Sequence, residues 1–266
     1  MTAVLAALDD SAAARPVLDV ARRVATLLTA DLVAVHVRED GSGTTAEAVA
    51  GSAGVPMIVR AADGSAAVTD AIAAVQRELG VAAVAVGTRG LVGSERPIGH
   101  VALRLVQELP VPVLAVPPAS ADRPIRRVLV ALEGGVESEA AAALVDRFGD
   151  GSGLEVVALH VFPPEGLPPF GDHPVFETEA WSREFLRRTA GPPPHRLRLE
   201  VRVGSVVDIV AGSVDEFGAD LVVLAWNRTL AGGHGRIVRR LLETGRVPTL
   251  LLPAGLGSAQ AGWSAA

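Results

Sequence analysis

The stretch Val4–Asp10, VLAALDD, returns 124 residues later as VLVALEG at Val128–Gly134. A second segment, LVAVHV at Leu32–Val37, returns at the same displacement as VVALHV at Val156–Val161. The segment VPVLAVPP at 111–118 returns as VPTLLLPA at 247–254. Because order and displacement are kept, the sequence predicts two copies of one domain in tandem, and not a solenoid, whose repeats are about 20–50 residues long.

Each copy alternates short apolar runs with segments whose apolar residues recur every three or four positions, a pattern typical of strands alternating with helices. The runs are apolar at successive positions, which predicts a parallel sheet covered by helices on both faces. The predicted helices of the first copy are segments 15–30, 65–79 and 100–109. The predicted strands are Val4–Leu8, Leu32–Val37, Met57–Val59, Val81–Val86 and Val111–Val116 in the first copy, and Val128–Leu132, Val156–Val161, Leu197–Val201, Leu221–Leu224 and Val247–Leu252 in the second.

The composition between and after the copies sets the predicted domain boundaries. We expect a first domain over 1–118, a proline-containing linker over 119–126, a second domain over 127–254 and a flexible tail over 255–266. One insertion in the second copy, 162–188, begins as a proline-rich loop and continues as a helix. The sequence indicates no role for it beyond packing.

Charge and residue usage exclude several classes of protein. The 266-residue chain carries a formal net charge of −6, whereas nucleic-acid-binding domains are usually basic. It has no cysteine, and all 24 basic residues are arginine, which removes thiolate chemistry, a P-loop lysine and Schiff-base catalysis. No apolar run approaches the roughly 18 residues of a membrane span, and Asp9 and Asp10 interrupt the first run. We therefore expect a cytoplasmic protein without a signal peptide.

The segment 85–106, AVGTRGLVGSERPIGHVALRLV, is the most informative about chemistry. Gly87 and Gly90 fall at the carboxyl end of the fourth predicted strand, and Gly99 directly precedes a helical pattern. Ligands of parallel α/β sheets bind at that edge, where glycines let main-chain N–H groups approach an anion and a helix N-terminus adds unpaired donors. The spacing is consistent with a phosphate-binding loop that needs no lysine, and also with an ordinary glycine-rich turn.

This segment resembles the nucleotide motif of the universal stress protein family, Gly-x2-Gly-x9-Gly-Ser/Thr. Gly87, Gly90 and Gly99 match its glycines, with eight residues instead of nine before the last one and His100 in place of the hydroxyl residue. Asp9-Asp10-Ser11 resembles the Asp-Gly-Ser that follows strand one in that family. The resemblance extends over residues 3–118 and 126–253.

The resemblance implies an α/β fold of two tandem open parallel five-stranded sheets, each with strand order 3-2-1-4-5 and helices on both faces. It implies ATP as the ligand of the first domain, with Asp9 and Val37 near the adenine and Gly87, Gly90 and Gly99 around the phosphates. It also implies homodimerisation through the last strands. In a tandem chain, this predicts that the last strands of the two copies pair inside one molecule.

The second copy departs further from the motif. Ala225 and Arg228 stand at the positions of the first two motif glycines, and Arg236 stands at that of the hydroxyl residue. The loop is either a degenerate site that only supports the fold, or a new anion site in which Arg228 and Arg236, with His234, bind phosphate. In the first case we expect Trp226 to fill the vacated pocket.

We therefore expect a tandem universal stress protein whose first domain binds an adenine nucleotide and which acts in stress-response regulation or partner binding, not in catalysis. Two alternatives remain, a nucleotide-free interaction scaffold and a slow ATP hydrolase in which Glu95, the only acidic residue of the loop, positions water. His36 and His160 occupy equivalent strand positions, which predicts a structural role for both. No histidine spacing matches a metal site.

Overall fold

The computed structural model describes residues 2–38, 44–89, 98–120, 123–132, 153–163, 197–230 and 233–254, together with positions 141, 144 and 148. The first half contains β1 (Ala3–Leu8), α1 (Ala14–Leu27), β2 (Asp31–Arg38), α2 (Thr44–Ser52), β3 (Met57–Ala61), α3 (Gly64–Leu79), β4 (Ala83–Gly87), α4 (His100–Glu108) and β5 (Val113–Val116). The second half contains β6 (Arg127–Leu132), β7 (Glu155–Phe162), β8 (Leu197–Val203), α5 (Val206–Glu216), β9 (Leu221–Trp226), α6 (Gly233–Thr244) and β10 (Thr249–Pro253).

Every predicted strand is present, with its ends displaced by at most two residues. The three helices predicted in the first half correspond to α1, α3 and α4. Helix α2 is an addition that the apolar periodicity did not reveal, because its sequence, TTAEAVAGS, is rich in alanine and small polar residues. Most of the insertion at 162–188 and all of the tail at 255–266 lie outside the described residues.

In the described part of the chain, the sheet has ten strands in the order β3-β2-β1-β4-β5-β10-β9-β6-β7-β8. Each half therefore has the order 3-2-1-4-5, as predicted. All neighbours within a half are parallel, and the shared register is visible in the pairs Leu8↔His36 and Leu132↔His160. The palindromic order means that the two halves are related by an approximate two-fold axis at the centre of the sheet.

The predicted fold class is confirmed and differs from the structure in one detail, because the two five-stranded sheets are joined into one. Strands β5 and β10 pair in antiparallel fashion, with Leu114 opposite Leu250 and Ala115 opposite Thr249. Each of these strands is the last of its half, and pairing satisfies main-chain N–H and C=O groups that an open edge would leave exposed. The predicted pairing of the last strands thus occurs inside one chain. Homodimerisation stays a prediction.

Two apolar layers cover the sheet. One face of the sheet packs against α1 and α2 in an apolar cluster that includes Leu18, Val24 and Ala34. The other face packs against α3 to α6 in a cluster that includes Leu105, Val222 and Leu241. Because β1 has a helix on each face, the cavity described below lies between α1 on one side and α3 and α4 on the other. Among the described residues, no helix combines the length and the apolar composition needed to cross a bilayer.

Candidate functional site

A cavity of about 270 Å³ opens at the carboxyl edge of the sheet, at the ends of the neighbouring strands β1 and β4. Strands β2 and β3 lie on one side of β1, whereas β4 and β5 lie on the other, so the strand order reverses at this point. Open α/β sheets bind ligands in the crevice at such a switch point. The volume lies just below the range of about 300–1,000 Å³ typical of small-molecule pockets. The wall is mostly apolar and consists of Ala7, Leu8, Asp9, Ala13, Val17, Val35, Val37, Val68, Ile72, Val86, Gly87, Gly99, His100, Val101 and Ala102.

Four of the five residues predicted to contact a nucleotide line this cavity, namely Asp9, Val37, Gly87 and Gly99. The fifth, Gly90, lies outside the described residues. The four come from the ends of β1, β2 and β4 and from the start of α4, so the parallel topology gathers residues that are distant in the sequence. That they bind a ligand stays a prediction.

The loop after β1 holds Asp9 at the edge of the cavity. Its Oδ1 accepts hydrogen bonds from the Ser11 N–H at 3.1 Å and from the Ser11 hydroxyl at 2.5 Å. The Ser11 Oγ in turn accepts a hydrogen bond from the Ala13 N–H at 3.1 Å, one residue before α1 begins. Two successive side-chain turns therefore fix the Asp9 carboxylate, and Ser11 acts as a turn residue.

The N-terminus of α4 supplies the main-chain donors of the site. The Gly99 N–H donates to the Thr88 carbonyl at 2.7 Å, so this amide is already used within the loop. The Gly99 carbonyl accepts from the Leu103 N–H, which makes Gly99 the N-cap residue, and no side chain caps the helix. Helix geometry leaves the next three N–H groups, of His100, Val101 and Ala102, without intrahelical acceptors. All three residues line the cavity.

Gly87 lies where β4 packs against α1. A Cβ at this position would lie 3.4 Å from Val17 Cγ2 and 3.7 Å from the Ala13 Cβ, which is ordinary contact. Alanine would therefore fit here, at the cost of a slightly tighter wall. At Gly99 the nearest atom to an added Cβ would be the Thr88 carbonyl oxygen, at 3.5 Å.

His36 links three elements beneath the site. Its Nδ1 must carry a proton, because it lies 2.9 Å from the Leu8 carbonyl oxygen, which can only accept. Its Nε2 is buried and lies 3.7 Å from Asp10 Oδ2. The other Asp10 oxygen accepts hydrogen bonds from the N–H groups of Thr45 and Ala46, at the start of α2. His160 makes the same Nδ1 contact with the Leu132 carbonyl, at 2.8 Å, as its equivalent position predicts.

Several, though not all, of the wall residues are matched by larger side chains in the second half. Val37 is matched by Val161, and Val17 is matched by the smaller Ala141. Equivalent residues of the two halves can be matched from the strand registers and by aligning α4 with α6. Five wall residues and the neighbouring Thr88 are each matched by a larger second-half residue, and that residue is at most 8% exposed. The largest change replaces Thr88 by Trp226, which is 1% exposed and lies in the apolar cluster on the α5 and α6 face. The six pairs are Val35 and Leu159, Val86 and Leu224, Gly87 and Ala225, Thr88 and Trp226, Val101 and Ile237, and Ala102 and Val238.

The second loop also approaches its own helix more closely. A Cβ at Gly235 would lie only 2.5 Å from the Thr229 carbonyl oxygen and from the Leu230 carbonyl carbon, so only glycine fits here. Arg228 adopts φ +61°, which is strained for a residue with a Cβ, and the Asn227 side chain stabilises the turn by accepting from the Thr229 N–H. This packing favours the degenerate-site interpretation. Arg236 is exposed, and the His234 side chain lies outside the described residues.

The geometry defines a duplicated α/β protein with an open cavity at the switch point of its first half. Residues 124–253 match the sequence model of the Universal stress protein family. The second half of the chain therefore belongs to the universal stress protein family, as the resemblance implied. The match covers the second half, in which the glycine motif has been lost, and thus depends on the fold pattern more than on the loop.

Solved structures share the whole two-domain fold. A universal stress protein from Archaeoglobus fulgidus is 16% identical, with a TM-score of 0.65 and coverage of 95% of this chain and 98% of that chain. A functionally unknown protein from Pseudomonas aeruginosa is 15% identical, with a TM-score of 0.65 and coverage of 98% and 95%. The cytoplasmic domain of a prokaryotic cation chloride cotransporter is 7% identical, with a TM-score of 0.58 and coverage of 98% and 99%. At these identities the likeness concerns the fold alone. No curated protein gives a significant match.

The sequence did not single out several residues that shape the site. Val86 falls in a predicted strand and Ala102 in a predicted helix, and both line the cavity. The signal that identifies them is the comparison of the two halves, because both are replaced by larger residues in the second. Arg89 lies between the first two motif glycines, and its side chain reaches the other half of the molecule, which the sequence does not indicate.

Proposed function

We propose that the first domain binds one adenine nucleotide in the β1–β4 cavity and that the second domain serves as a filled structural partner. The single observation that carries this proposal is the cavity itself, with four of the predicted residues in its wall. In this proposal the protein binds the nucleotide as part of stress-response regulation and catalyses no reaction.

The chemistry of the wall supports a planar aromatic ligand with a polar rim. Val35, Val37, Ile72 and Val86 supply apolar surface, which favours burial of a purine ring. Asp9 lies at the edge of this surface as a fixed hydrogen-bond acceptor, suited to an exocyclic amino group. Adenine has such a group, so the wall fits the base that the family resemblance implies.

The N-terminus of α4 supports an anionic group next to that base. The N–H groups of His100, Val101 and Ala102 are uncapped and lie at the cavity, where the positive end of the helix dipole favours negative charge. The described wall contains no arginine, so these amides are its main phosphate donors. His100 is exposed and adds a ring N–H in place of the motif hydroxyl.

Calorimetric titration of the purified chain tests the proposal. We expect ATP to bind with a stoichiometry of one per chain, because the equivalent positions of the second domain are filled by Trp226 and its neighbours. Adenosine should bind more weakly, since it lacks the anion, and inorganic triphosphate more weakly still, since it lacks the base. ATP at about 100 times its Kd should stabilise the protein by about 2.7 kcal/mol in thermal unfolding.

The other two functions predict different results in the same experiment. A nucleotide-free scaffold gives no heat with ATP or adenosine and releases no adenine nucleotide when freshly purified protein is denatured. Two ATP molecules per chain would contradict a filled second domain. A hydrolase would release phosphate from ATP and Mg²⁺ above the buffer rate, and Glu95→Gln would abolish that release.

A further inference from the structure

Arg89 connects the cavity of the first domain to a helix of the second. Its Nη2 donates a hydrogen bond to the Glu243 carbonyl at 3.1 Å, across 154 positions of sequence. Glu243 lies in the last turn of α6, whereas Arg89 lies two residues after the cavity residue Gly87. The contact therefore spans the two halves of the chain close to the predicted ligand.

The main chain between the cavity and Arg89 is held in place on both sides. The Thr88 N–H donates to the Val116 carbonyl at 2.9 Å, which ties it to β5. The Thr88 carbonyl accepts from the Gly99 N–H at 2.7 Å, which ties it to the start of α4. A ligand that packs against Gly87 and the first turn of α4 would add to these restraints on Thr88, and thereby on the position from which Arg89 extends.

The far end of the contact is the C-terminus of α6. This helix ends in a left-handed residue, Gly245 at φ +54°, whose N–H donates to the Leu241 carbonyl. The last carbonyls of a helix lack intrahelical donors and carry the negative end of its dipole. The Arg89 guanidinium supplies both a donor and a positive charge there, so it stabilises the last turn of α6.

The contact has no counterpart of the same kind at the equivalent position of the other half. The residue equivalent to Arg89 is Asn227, whose side-chain oxygen accepts a hydrogen bond from the Thr229 N–H in its own turn. The contact thus runs from the domain with the described cavity to the domain whose equivalent residue is used within its own turn. This asymmetry matches the asymmetry of the two switch points.

We propose that Arg89 transmits the occupancy of the first-domain cavity to the C-terminal end of α6 in the second domain. A bound nucleotide holds Thr88 and Arg89 in place, and the Arg89–Glu243 hydrogen bond then protects the last turn of α6 from opening. This inference rests on the proposed nucleotide binding. By thermodynamic linkage, removing the bond weakens nucleotide binding by the same factor by which the nucleotide protects α6.

Amide hydrogen exchange of the full chain, with and without saturating ATP, tests the inference. In the wild-type protein we expect ATP to slow exchange in residues 241–247 by at least about five-fold, the lower end of usual allosteric couplings. In Arg89→Ala and in Arg89→Gln this protection should be lost, and calorimetry should show ATP binding weakened by a similar factor. The matched control is Arg22→Ala, which removes a guanidinium bond to the Ala53 carbonyl within the first domain and should leave the protection of 241–247 unchanged.

The outcomes separate this inference from the proposed function. If ATP binds but exchange in 241–247 does not slow, or slows equally in the Arg89 variants, the coupling is refuted while nucleotide binding stands. Faster exchange in 241–247 with ATP would also refute it, because the ligand would then displace Arg89. If calorimetry detects no ATP binding, the proposed function fails and the ligand coupling fails with it.

Discussion

Ala102→Val gives a test of the cavity in which stability and binding should change in opposite directions. Ala102 is 3% exposed, lies in the first turn of α4 and lines the cavity, and the second half carries Val238 at the equivalent position. The substitution adds two methyl groups to the wall. Burial of about 0.8 kcal/mol for each added carbon, less roughly 0.6 kcal/mol of helix propensity, predicts a stabilisation of about 1 kcal/mol.

Val106→Leu, on the same helix, is the matched control for this prediction. Val106 is 2% exposed, is not among the described wall residues, and also changes to the residue of the second half, Leu242. Because its surroundings are packed, the extra methylene should destabilise the protein by about 1–3 kcal/mol. Nucleotide binding should survive in Val106→Leu and weaken at least ten-fold in Ala102→Val.

Urea unfolding and ATP calorimetry of both variants provide the readout. Comparable destabilisation by the two substitutions would show that Ala102 is packed as tightly as Val106, and the assignment of the cavity would be refuted. Unchanged ATP affinity in Ala102→Val would show that the nucleotide binds elsewhere.

Three further predictions concern the residues around the two switch points. Trp226→Ala should cost about 3–5 kcal/mol in urea unfolding, because the indole is 1% exposed; a loss below about 1 kcal/mol would mean that it does not fill the second site. Gly235→Ala should lower the melting temperature by several degrees, because the added Cβ would lie 2.5 Å from main-chain atoms. Gly99→Ala should change the melting temperature little, because the atom nearest to its added Cβ lies at 3.5 Å. Equal shifts would contradict the close approach of the second loop to its helix. Asp10→Ala removes the acceptor of the Thr45 and Ala46 N–H groups, so it should lower the free energy of unfolding by about 0.5–2 kcal/mol and speed hydrogen exchange in α2. Asp10→Asn keeps an acceptor and should lower the free energy of unfolding less. Unchanged exchange in α2 would contradict the capping role.

The architecture was predictable from sequence because its signals are local and repeated. Strands such as Val4–Leu8 and Val128–Leu132 are apolar at every position, as strands buried on both faces must be, and the second copy confirms the first. Helix α2 escaped prediction because alanine and threonine give it little periodicity. The joining of the two sheets follows from the open edges of the last strands, and only its geometry needed the structure.

The candidate site was predictable in its location but not in its atoms. The glycines mark the carboxyl end of β4, yet the sequence does not show that the Gly99 amide is used by Thr88, which moves the available donors to the next three residues. The Arg89–Glu243 contact joins residues too distant in sequence for any local pattern to indicate. That Trp226 fills the second switch point stays a prediction, and the structure adds five smaller increases in side-chain size at equivalent buried positions.

The account depends most on the claim that the first switch point is open to a nucleotide and the second is filled. The most direct test is a structure determined from crystals of the protein grown in the presence of ATP. We predict adenine density at the carboxyl ends of β1 and β4, beside Asp9 and Val37, with phosphate density at the N–H groups of His100, Val101 and Ala102. A first-domain crevice closed by protein side chains, or nucleotide density at the Trp226 end of β9, would contradict the account.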